Sequence, residues 1–406
     1  MTMTSTEVIV VGGGPAGATV ATLLARRGRQ VVLLERSPTW RWRACGVFSS
    51  PAAVTALQRV GLADDMLAAA IRPIPAMRVE APDGTSFRLT YGDEDRLVRP
   101  AVGFERRNLD EALLAMARSA GVDVRTGVSV TGAALGDRRH KVFVRDAKAA
   151  GELDARVVIG ADGVRSVIAR ATGVTRPARL GRRVGLTYHV VDPRPREATV
   201  DARMVLLKDA YCGLAPVPGG KLNVGIVLAG ARWQHRLAAD GASSVVAEVL
   251  SAIPPAADDP IDWAAAERCQ AIEGAAPLGH RVARRSGNGW LLVGDAAGFL
   301  DPLTGEGLHR AIVSAELAAD AVDRNLRSSA SSLGGYDRAM SARFRSKDVV
   351  TLLIQAFLAR PALIRHAARR LARRDPLRET MGLVLGDLVP ATRALEPSFL
   401  AGLLGP

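Results

Sequence analysis

Residues Gly12-Gly13-Gly14-Pro15-Ala16-Gly17 follow the apolar run Glu7-Val8-Ile9-Val10-Val11 and have the spacing GxGxxG. That spacing suits phosphate binding. Gly12 permits a tight turn, Gly14 lets backbone approach a pyrophosphate, and Gly17 lets strand and helix pack closely; the N–H groups and dipole of the helix that follows then favour the anion. The triplet alone is common. Here, however, a strand precedes it, a helix is predicted over residues 16–27 with Gly28 as its C-cap, and a second buried strand over residues 30–35 ends in Glu35, where a ribose needs a carboxylate acceptor. A dinucleotide site follows, with Pro15 and Ala16 at the helix start and Arg36 beside the acidic residue. Glu35 in place of a basic side chain argues against a 2′-phosphate there.

Two later segments add to this. Gly160-Ala161-Asp162-Gly163-Val164-Arg165-Ser166 ends a buried strand over residues 156–161. Trp290 to Val293 forms another, followed by Gly294-Asp295-Ala296-Ala297-Gly298, then Asp301-Pro302-Leu303-Thr304-Gly305-Glu306-Gly307-Leu308 and a long helix over residues 307–322. Either segment by itself reads equally well as a strand-to-loop turn capped by an aspartate. The three together, in this order, are far more specific.

The elements that must position these residues have two textures. Strands alternating with helices mark a parallel α/β part. Residues 77–97, around the turn Asp83-Gly84, and residues 185–228, with turns at Asp192-Pro193 and Pro218-Gly219-Gly220, read as antiparallel sheet. An amphipathic helix over 109–119 and a strand at 123–125 return to the first texture. A nucleotide domain interrupted by a substrate domain explains the alternation: residues 1–75, 100–180 and 280–327 in the first, 76–99 and 181–279 in the second, and a helical region over 328–406. The Ser-rich stretch 328–332 reads as a linker, and Pro361, Pro376 and Pro390 interrupt the C-terminal helices.

The 406 residues, 48% of them hydrophobic, can bury a sizeable core. The net charge of +13 does not point to nucleic acid, because residues 343–378 alone carry ten Lys or Arg against two Asp and no nucleic-acid-binding motif accompanies them. Three scattered cysteines, Cys45, Cys212 and Cys269, suggest neither a metal site nor a disulfide framework. With no signal peptide or apolar span in view, a cytoplasmic protein is expected.

Over residues 7–325 the chain resembles the FAD-dependent monooxygenase superfamily of the para-hydroxybenzoate hydroxylase type, nearest its geranylgeranyl reductase-like branch. The resemblance implies a glutathione-reductase-like FAD-binding Rossmann fold with an interrupting antiparallel β-sheet substrate domain and a helical C-terminal tail. It assigns the ADP part of FAD to residues 12–17 and Glu35, the approach of FAD and NAD(P)H to Asp162 and Gly163, and the ribityl chain to Asp295. The helix start at Gly305, Gly307 and Leu308 would face the flavin N1/O2 edge, where reduced flavin carries negative charge. Arg106, or its neighbour Arg107, resembles the arginine that meets the FAD phosphate and ribose region, and Val130 is expected to offer backbone contacts to the adenine.

Two segments bear on the branch. Arg43-Ala44-Cys45-Gly46 resembles the Cys-Gly-Gly segment near the flavin of prenyl reductases, although a small buried loop cysteine is an equal reading. Tyr211-Cys212-Gly213-Leu214-Ala215-Pro216 stands where those reductases carry YxWxFP, keeping Tyr and Pro but placing Gly213 and Ala215 where bulk is lost from a pocket wall. The WxWxIP pattern of flavin halogenases is absent. In residues 349–374 an apolar set is interleaved with Arg365, Arg369, Arg370, Arg373 and Arg374, a solvated basic face or a helix resting on an anionic membrane surface. His309 is the one histidine placed near the expected chemistry.

The leading expectation is therefore an NAD(P)H-dependent monooxygenase that inserts one oxygen atom from O2 into a hydrophobic aromatic or alkene through a flavin C4a-hydroperoxide. The branch's association with secondary metabolism suggests a phenolic lipid, polyketide or terpenoid. The alternatives are a reductase of isoprenoid double bonds with Cys45 near the flavin, and a flavoprotein scaffold of little turnover. No second GxGxxG is present, so a nicotinamide would have to visit the flavin transiently.

Overall fold

The first strand, Ser5–Val11, is buried along its last four residues and lies between two parallel neighbours, Val31–Glu35 and Ala150–Gly160. Near-continuous apolar sequence in such strands reflects helices covering both faces. The computed structural model describes residues 5–91, 100–136, 139–255, 260–328 and 332–405. Its larger sheet runs, edge to edge, Ser286–Gly287, Trp290–Leu292, Ala150–Gly160, Ser5–Val11, Val31–Glu35, Asp123–Thr126, with the antiparallel hairpin Ser129–Leu135 and His140–Arg145 branching from the long strand. One face is covered by the helices Pro15–Ala25 and Gly307–Arg327, whose Ala16, Ala21, Ala315 and Ala318 let the backbones approach closely. Fully buried Val8, Val10, Leu24 and Ile159 anchor this core at roughly 1.5–3 kcal/mol each.

The second sheet has seven strands in the order Glu273–Ala275, Arg183–Val191, Lys221–Ala229, Ala210–Val217, Ala202–Leu207, Ala76–Glu80, Ser86–Thr90. It is antiparallel except where Ala202–Leu207 runs parallel to Ala76–Glu80. That exception is a crossover between segments far apart in sequence, so no hairpin dictates its direction. The helix Ala231–Ser251, kinked at Gly241 and not anticipated from the sequence, packs its Trp233, Val245, Val246 and Val249 on one face. A small sheet of Phe48–Ser49, Ala101–Phe104 and Ile71–Ile74 joins the two systems; a Cβ on Gly103 would lie 1.9 Å from the Pro216 carbonyl oxygen.

Several boundaries differ from the sequence reading. The helix expected from Leu109 begins at Arg106, because Glu105 caps it by accepting from the Arg107 N–H. The 307–322 helix runs on to Arg327. Part of the 77–97 hairpin and residues 329–331 of the expected linker lie outside the described residues. Pro361 and Pro376 begin the helices Pro361–Arg373 and Asp375–Leu385 in their first turns, where the missing N–H costs nothing, and Pro390 precedes a short 3-10 turn. Lys347, one of the ten basic residues counted over 343–378, is buried at 4% exposed. No helix among the described residues is long and apolar enough to cross a membrane.

Candidate active site

The glycine turn closes as its spacing requires. Gly12 has φ of +107°, and a Cβ there would stand 2.4 Å from the Ala161 carbonyl oxygen. A Cβ on Gly17 would stand 1.9 Å from the Gly12 oxygen, so this glycine sets the helix against the turn. Gly14, the helix N-cap, is open: among the described residues a Cβ added there would meet no atom within 4 Å, and the N-cap glycine supplies no side-chain bond to the first-turn N–H groups. Open space beside unpaired donors is what a pyrophosphate needs. Glu35 turns its carboxylate back on the same turn, accepting from the Gly13 N–H at 2.8 Å, the Ser37 N–H at 2.9 Å and the Arg43 guanidinium at 2.8 Å. Burial opposes its charge, but the Ser37 bond, Arg43 and the Gly13 bond outweigh it and hold the carboxyl below its ordinary range. Arg36 is exposed, and Val130 lies in the branching hairpin, two residues past Val128, whose N–H donates to the Glu35 carbonyl.

The other motifs meet this turn at the carboxyl ends of the same strands. The turn Gly163–Arg165 packs on Gly294–Ala297, and a Cβ on Gly294 would lie 2.9 Å from the Ala16 Cβ. Asp162 Oδ2 accepts from the Val167 N–H at 2.6 Å, while its buried Oδ1 has no partner among the described residues. Gly163 is left-handed at φ +74°, with open space where a side chain would be. Burial pushes Asp295 up to about 6, against the pull of Arg106 and Arg310.

Arg106 and Arg107, not separable in the sequence, part company here. Arg106 turns inward, donating to the Gly46 carbonyl at 3.1 Å and to Asp110 at 3.0 Å; Arg107 is exposed and lies over the Trp40 ring at 5.1 Å. Arg106 thereby ties the residue after Cys45 to the start of its helix. Burial pushes the Cys45 thiol up to about 11, with Arg106 and Arg43 pulling it down and Asp110 and Asp295 pushing it further up. Cys45 is therefore a proton-bearing thiol at neutral pH, electrostatically coupled to two of the expected cofactor-facing groups.

The flavin-edge loop is held from several sides. Gly305, at φ +65°, accepts from the Ser49 hydroxyl at 3.1 Å, and a Cβ there would be 2.6 Å from the Phe48 ring. Gly307 starts its helix exposed, with open space beside it, and Leu308 packs partly buried beneath. Asp301, which the sequence offered only as part of a motif, accepts from the Tyr211 hydroxyl at 2.6 Å and from Arg183 at 2.6 Å; Arg183 also reaches Gln355 at 2.6 Å. Tyr211, expected on a pocket wall, thus has its hydroxyl committed to this loop, and burial holds its proton well above the ordinary range. Cys212 points to the opposite, helix-covered face. His309 is buried and donates to Asp387 at 3.1 Å, part of a cluster in which Lys347 bonds Asp387 at 2.8 Å and stands 3.6 Å from Glu306. A cavity of about 300 Å³ beside Leu250, Ile261 and Trp263 lies on that helix-covered side and contains none of these groups.

A parallel sheet with a glycine turn at its first strand, an acid ending its second and an open helix terminus at the far motif defines an FAD-dependent oxidoreductase. Residues 5–345 match the FAD binding domain family, and the chain belongs to it; it is an enzyme, which sets aside the scaffold reading. The chain is 31% identical over 340 residues to digeranylgeranylglycerophospholipid reductase 2 of Methanothermobacter thermautotrophicus, covering 78% of each chain. It is 29% identical over 334 residues to menaquinone reductase of Mycolicibacterium smegmatis, covering 78% of this chain and 76% of that one. In fold it is similar to a geranylgeranyl bacteriochlorophyll reductase-like protein of Thermoplasma acidophilum, with a TM-score of 0.76 at 22% identity, covering 99% of this chain and 96% of that one.

Proposed function

We propose that this enzyme is a reductase that saturates an isoprenoid double bond of a lipid-like substrate, with NAD(P)H as electron donor. The observation that carries the reading is the similarity, over more than three quarters of the chain, to two relatives named as reductases, one of a prenylated phospholipid and one of a prenylated quinone. The oxygen insertion expected from the sequence gives way to reduction on this ground. When bound, FAD would supply the hydride chemistry. The turn at residues 12–17 and Glu35 would hold its ADP part, Arg106 and Asp295 its middle, and the N-terminus of Gly307–Arg327 would meet the negative edge of the reduced ring. Cys45 keeps a proton beside this arrangement, and the sheet face carrying Met77, Met204, Leu206 and Val227 offers apolar surface to a prenyl chain.

Such a substrate resides in membranes. The helix Pro361–Arg373, with exposed Arg365, Arg369 and Arg373 and with exposed Val349 and Leu353 on the preceding helix, gives a surface suited to anionic lipid. Binding to anionic but not neutral vesicles is the expected result.

Oxygenation stays as a second reading because Gly213 and Ala215 leave the pocket-facing strand without the bulk that prenyl reductases carry there. One experiment separates the two. The holoenzyme, reduced anaerobically, is mixed with a short-chain prenylated quinone and with a prenylated phospholipid. Reoxidation of the flavin without oxygen, with the product gaining a pair of hydrogens across an isoprenoid double bond and not only at the quinone carbonyls, is expected. Reoxidation only on admitting oxygen, with product gaining an oxygen atom, overturns the reductase in favour of the monooxygenase.

A further inference from the structure

The sheet face toward the FAD motifs carries a feature that cofactor binding does not use. His189 lies opposite Asn223, and Asn223 opposite Ala215; one pair along, Thr187 lies opposite Gly225, and Gly225 opposite Gly213. Directly paired residues project to the same face, so His189, Asn223 and Thr187 share a surface with the small residues Gly213, Gly225 and Ala215. His189 is 3% exposed. Its ring meets that of Trp42 at 4.6 Å between centroids, tilted by 59°. Trp42 comes from the segment that also sends Arg43 to Glu35 and carries Cys45.

Both rings hold a buried N–H with no partner among the described residues: Nε2 of His189 and Nε1 of Trp42. The tautomer follows from the neighbours. With the Gln270 amide nitrogen placed on His189 Nδ1, the amide donates, Nδ1 accepts and the proton is assigned to Nε2. Asn223 spends its own amide on Thr187 at 2.9 Å and on the Tyr188 carbonyl at 3.2 Å. Leaving a buried donor unsatisfied costs about 1–3 kcal/mol, and two adjacent ones mark a place where an acceptor is expected.

We propose that Trp42 and His189 form a paired donor site for a neutral oxygen acceptor, a quinone- or ester-type carbonyl on the head group of the prenylated substrate. This rests on the reductase reading above and narrows its substrate class. The site's charge supports neutrality. Two cations on this face are neutralised, Lys221 by Glu105 and Arg183 by Asp301, and burial with Lys221 nearby lowers His189 to about 4, so the imidazole is uncharged at neutral pH. A diphosphate would meet two dipoles and no net positive charge. A carbonyl oxygen, with two lone pairs, has capacity for two N–H donors.

The test uses oxidised holoenzyme, titrated with a short-chain prenylated quinone, the matching prenyl hydrocarbon and the matching prenyl diphosphate, binding being read from the perturbed flavin spectrum. FAD content and thermal unfolding are measured for each variant. His189→Phe keeps the ring against Trp42 and removes the donor; Trp42→Phe does the same from the other side. Each is expected to weaken quinone binding about five- to tenfold, as loss of one neutral hydrogen bond would. Hydrocarbon binding and FAD content should stay unchanged. Equal weakening of quinone and hydrocarbon would show a packing role, loss of FAD would show that the donors serve the cofactor, and tighter binding of the diphosphate would exclude a neutral head group; each overturns the proposal. If the quinone binds in this His189-dependent way but never reoxidises the reduced flavin anaerobically, the donor site stands and the reductase reading falls.

Discussion

Replacing Lys347 by Met should expose how strongly the C-terminal helices hold the flavin-edge loop. Lys347 is 4% exposed; its Nζ donates to the Val384 carbonyl at 2.5 Å and to Asp387 at 2.8 Å, and it lies 3.6 Å from Glu306. Burial opposes the charge of Asp387, but His309 and Lys347 hold its carboxyl well below the usual range; burial pushes Glu306 up, Lys347 resists, and the like charge of Asp387 pushes the same way as burial. Removing one partner of a buried ion pair costs about 3–5 kcal/mol, because the charges left behind lack compensation. Over 406 residues the unfolding entropy is about 0.85 kcal/mol per degree, so Tm should fall by about 4–6 °C. The sign with pH follows from Glu306. A raised carboxyl burdens the fold as it ionises, so the variant's deficit is largest at neutral pH and narrows as pH falls toward 4.5, the ordinary glutamate value. Calorimetry on the FAD-saturated wild type, Lys347→Met and the charge-preserving Lys347→Arg measures this. A deficit below about 1 kcal/mol at neutral pH, or one that does not change with acid, refutes the reasoning.

Gly14→Ala and Gly17→Ala should fail in opposite ways: the first leaves apoprotein unfolding within about 0.5 kcal/mol of wild type but weakens FAD binding at least about tenfold, whereas the second, with its Cβ 1.9 Å from the Gly12 oxygen, destabilises the apoprotein itself. Paired denaturation and FAD titration distinguish them. Asp295→Asn should weaken FAD binding roughly ten- to a hundredfold by removing a charged acceptor. Because Asp295 titrates at about 6, wild-type affinity should also decline as pH falls through that value, a step the variant lacks. Native-state alkylation read by mass spectrometry should modify exposed Cys269 at neutral pH while Cys45, raised to about 11, and Cys212, raised to about 12, stay largely unmodified. Labelling of Cys45 as fast as Cys269 would contradict the environment described for it.

What could be read from the sequence follows the range over which each interaction is encoded. The turn at residues 12–17 and Glu35 were legible because a strand, a turn and a helix N-terminus are written in consecutive residues, and the acid follows one βαβ unit later. Arg106 and Arg107 could not be told apart, since the choice depends on where Glu105 caps the helix, a matter of one residue. His189 and Trp42 are far apart in the chain and become neighbours only through the sheet register and the loop beneath it, so neither carries a local signal. Lys347 gave no local signal for a related reason. Among many arginines it looks like one more surface cation, and only the left-handed turn at Asp387, φ +57°, brings its partner into the interior. Tyr211 was legible as a residue type but not as a role, because Asp301, which occupies its hydroxyl, lies ninety residues on, in the loop before the helix Gly307–Arg327.

These long-range ties converge on one short loop. Residues 301–307 lead into the helix whose open N-terminus would face the flavin, and their anchors come from three parts of the fold. Asp301 is fixed by Tyr211 and Arg183 on the second sheet and, through Arg183, by Gln355. Gly305 is fixed by Ser49 in the small sheet, and Glu306 by its approach to Lys347 on the C-terminal helix Gly334–Leu358. A helix terminus stabilises developing charge only when its N–H groups are already aimed before the charge appears. Anchors from three directions supply that aim, and they make the loop answer to the position of the second sheet. A substrate that shifts the strand carrying Tyr211 would therefore move the hydrogen-bonded Asp301 with it, and with Asp301 the start of the flavin-edge helix. The polar cost of burying Asp301, Glu306 and Asp387 gains a reason on this account. Asp301 orients the turn at Leu303 by accepting from its N–H, and Asp387 ties together His309, Lys347 and Ser50, which apolar side chains of equal volume, packing without direction, could not do.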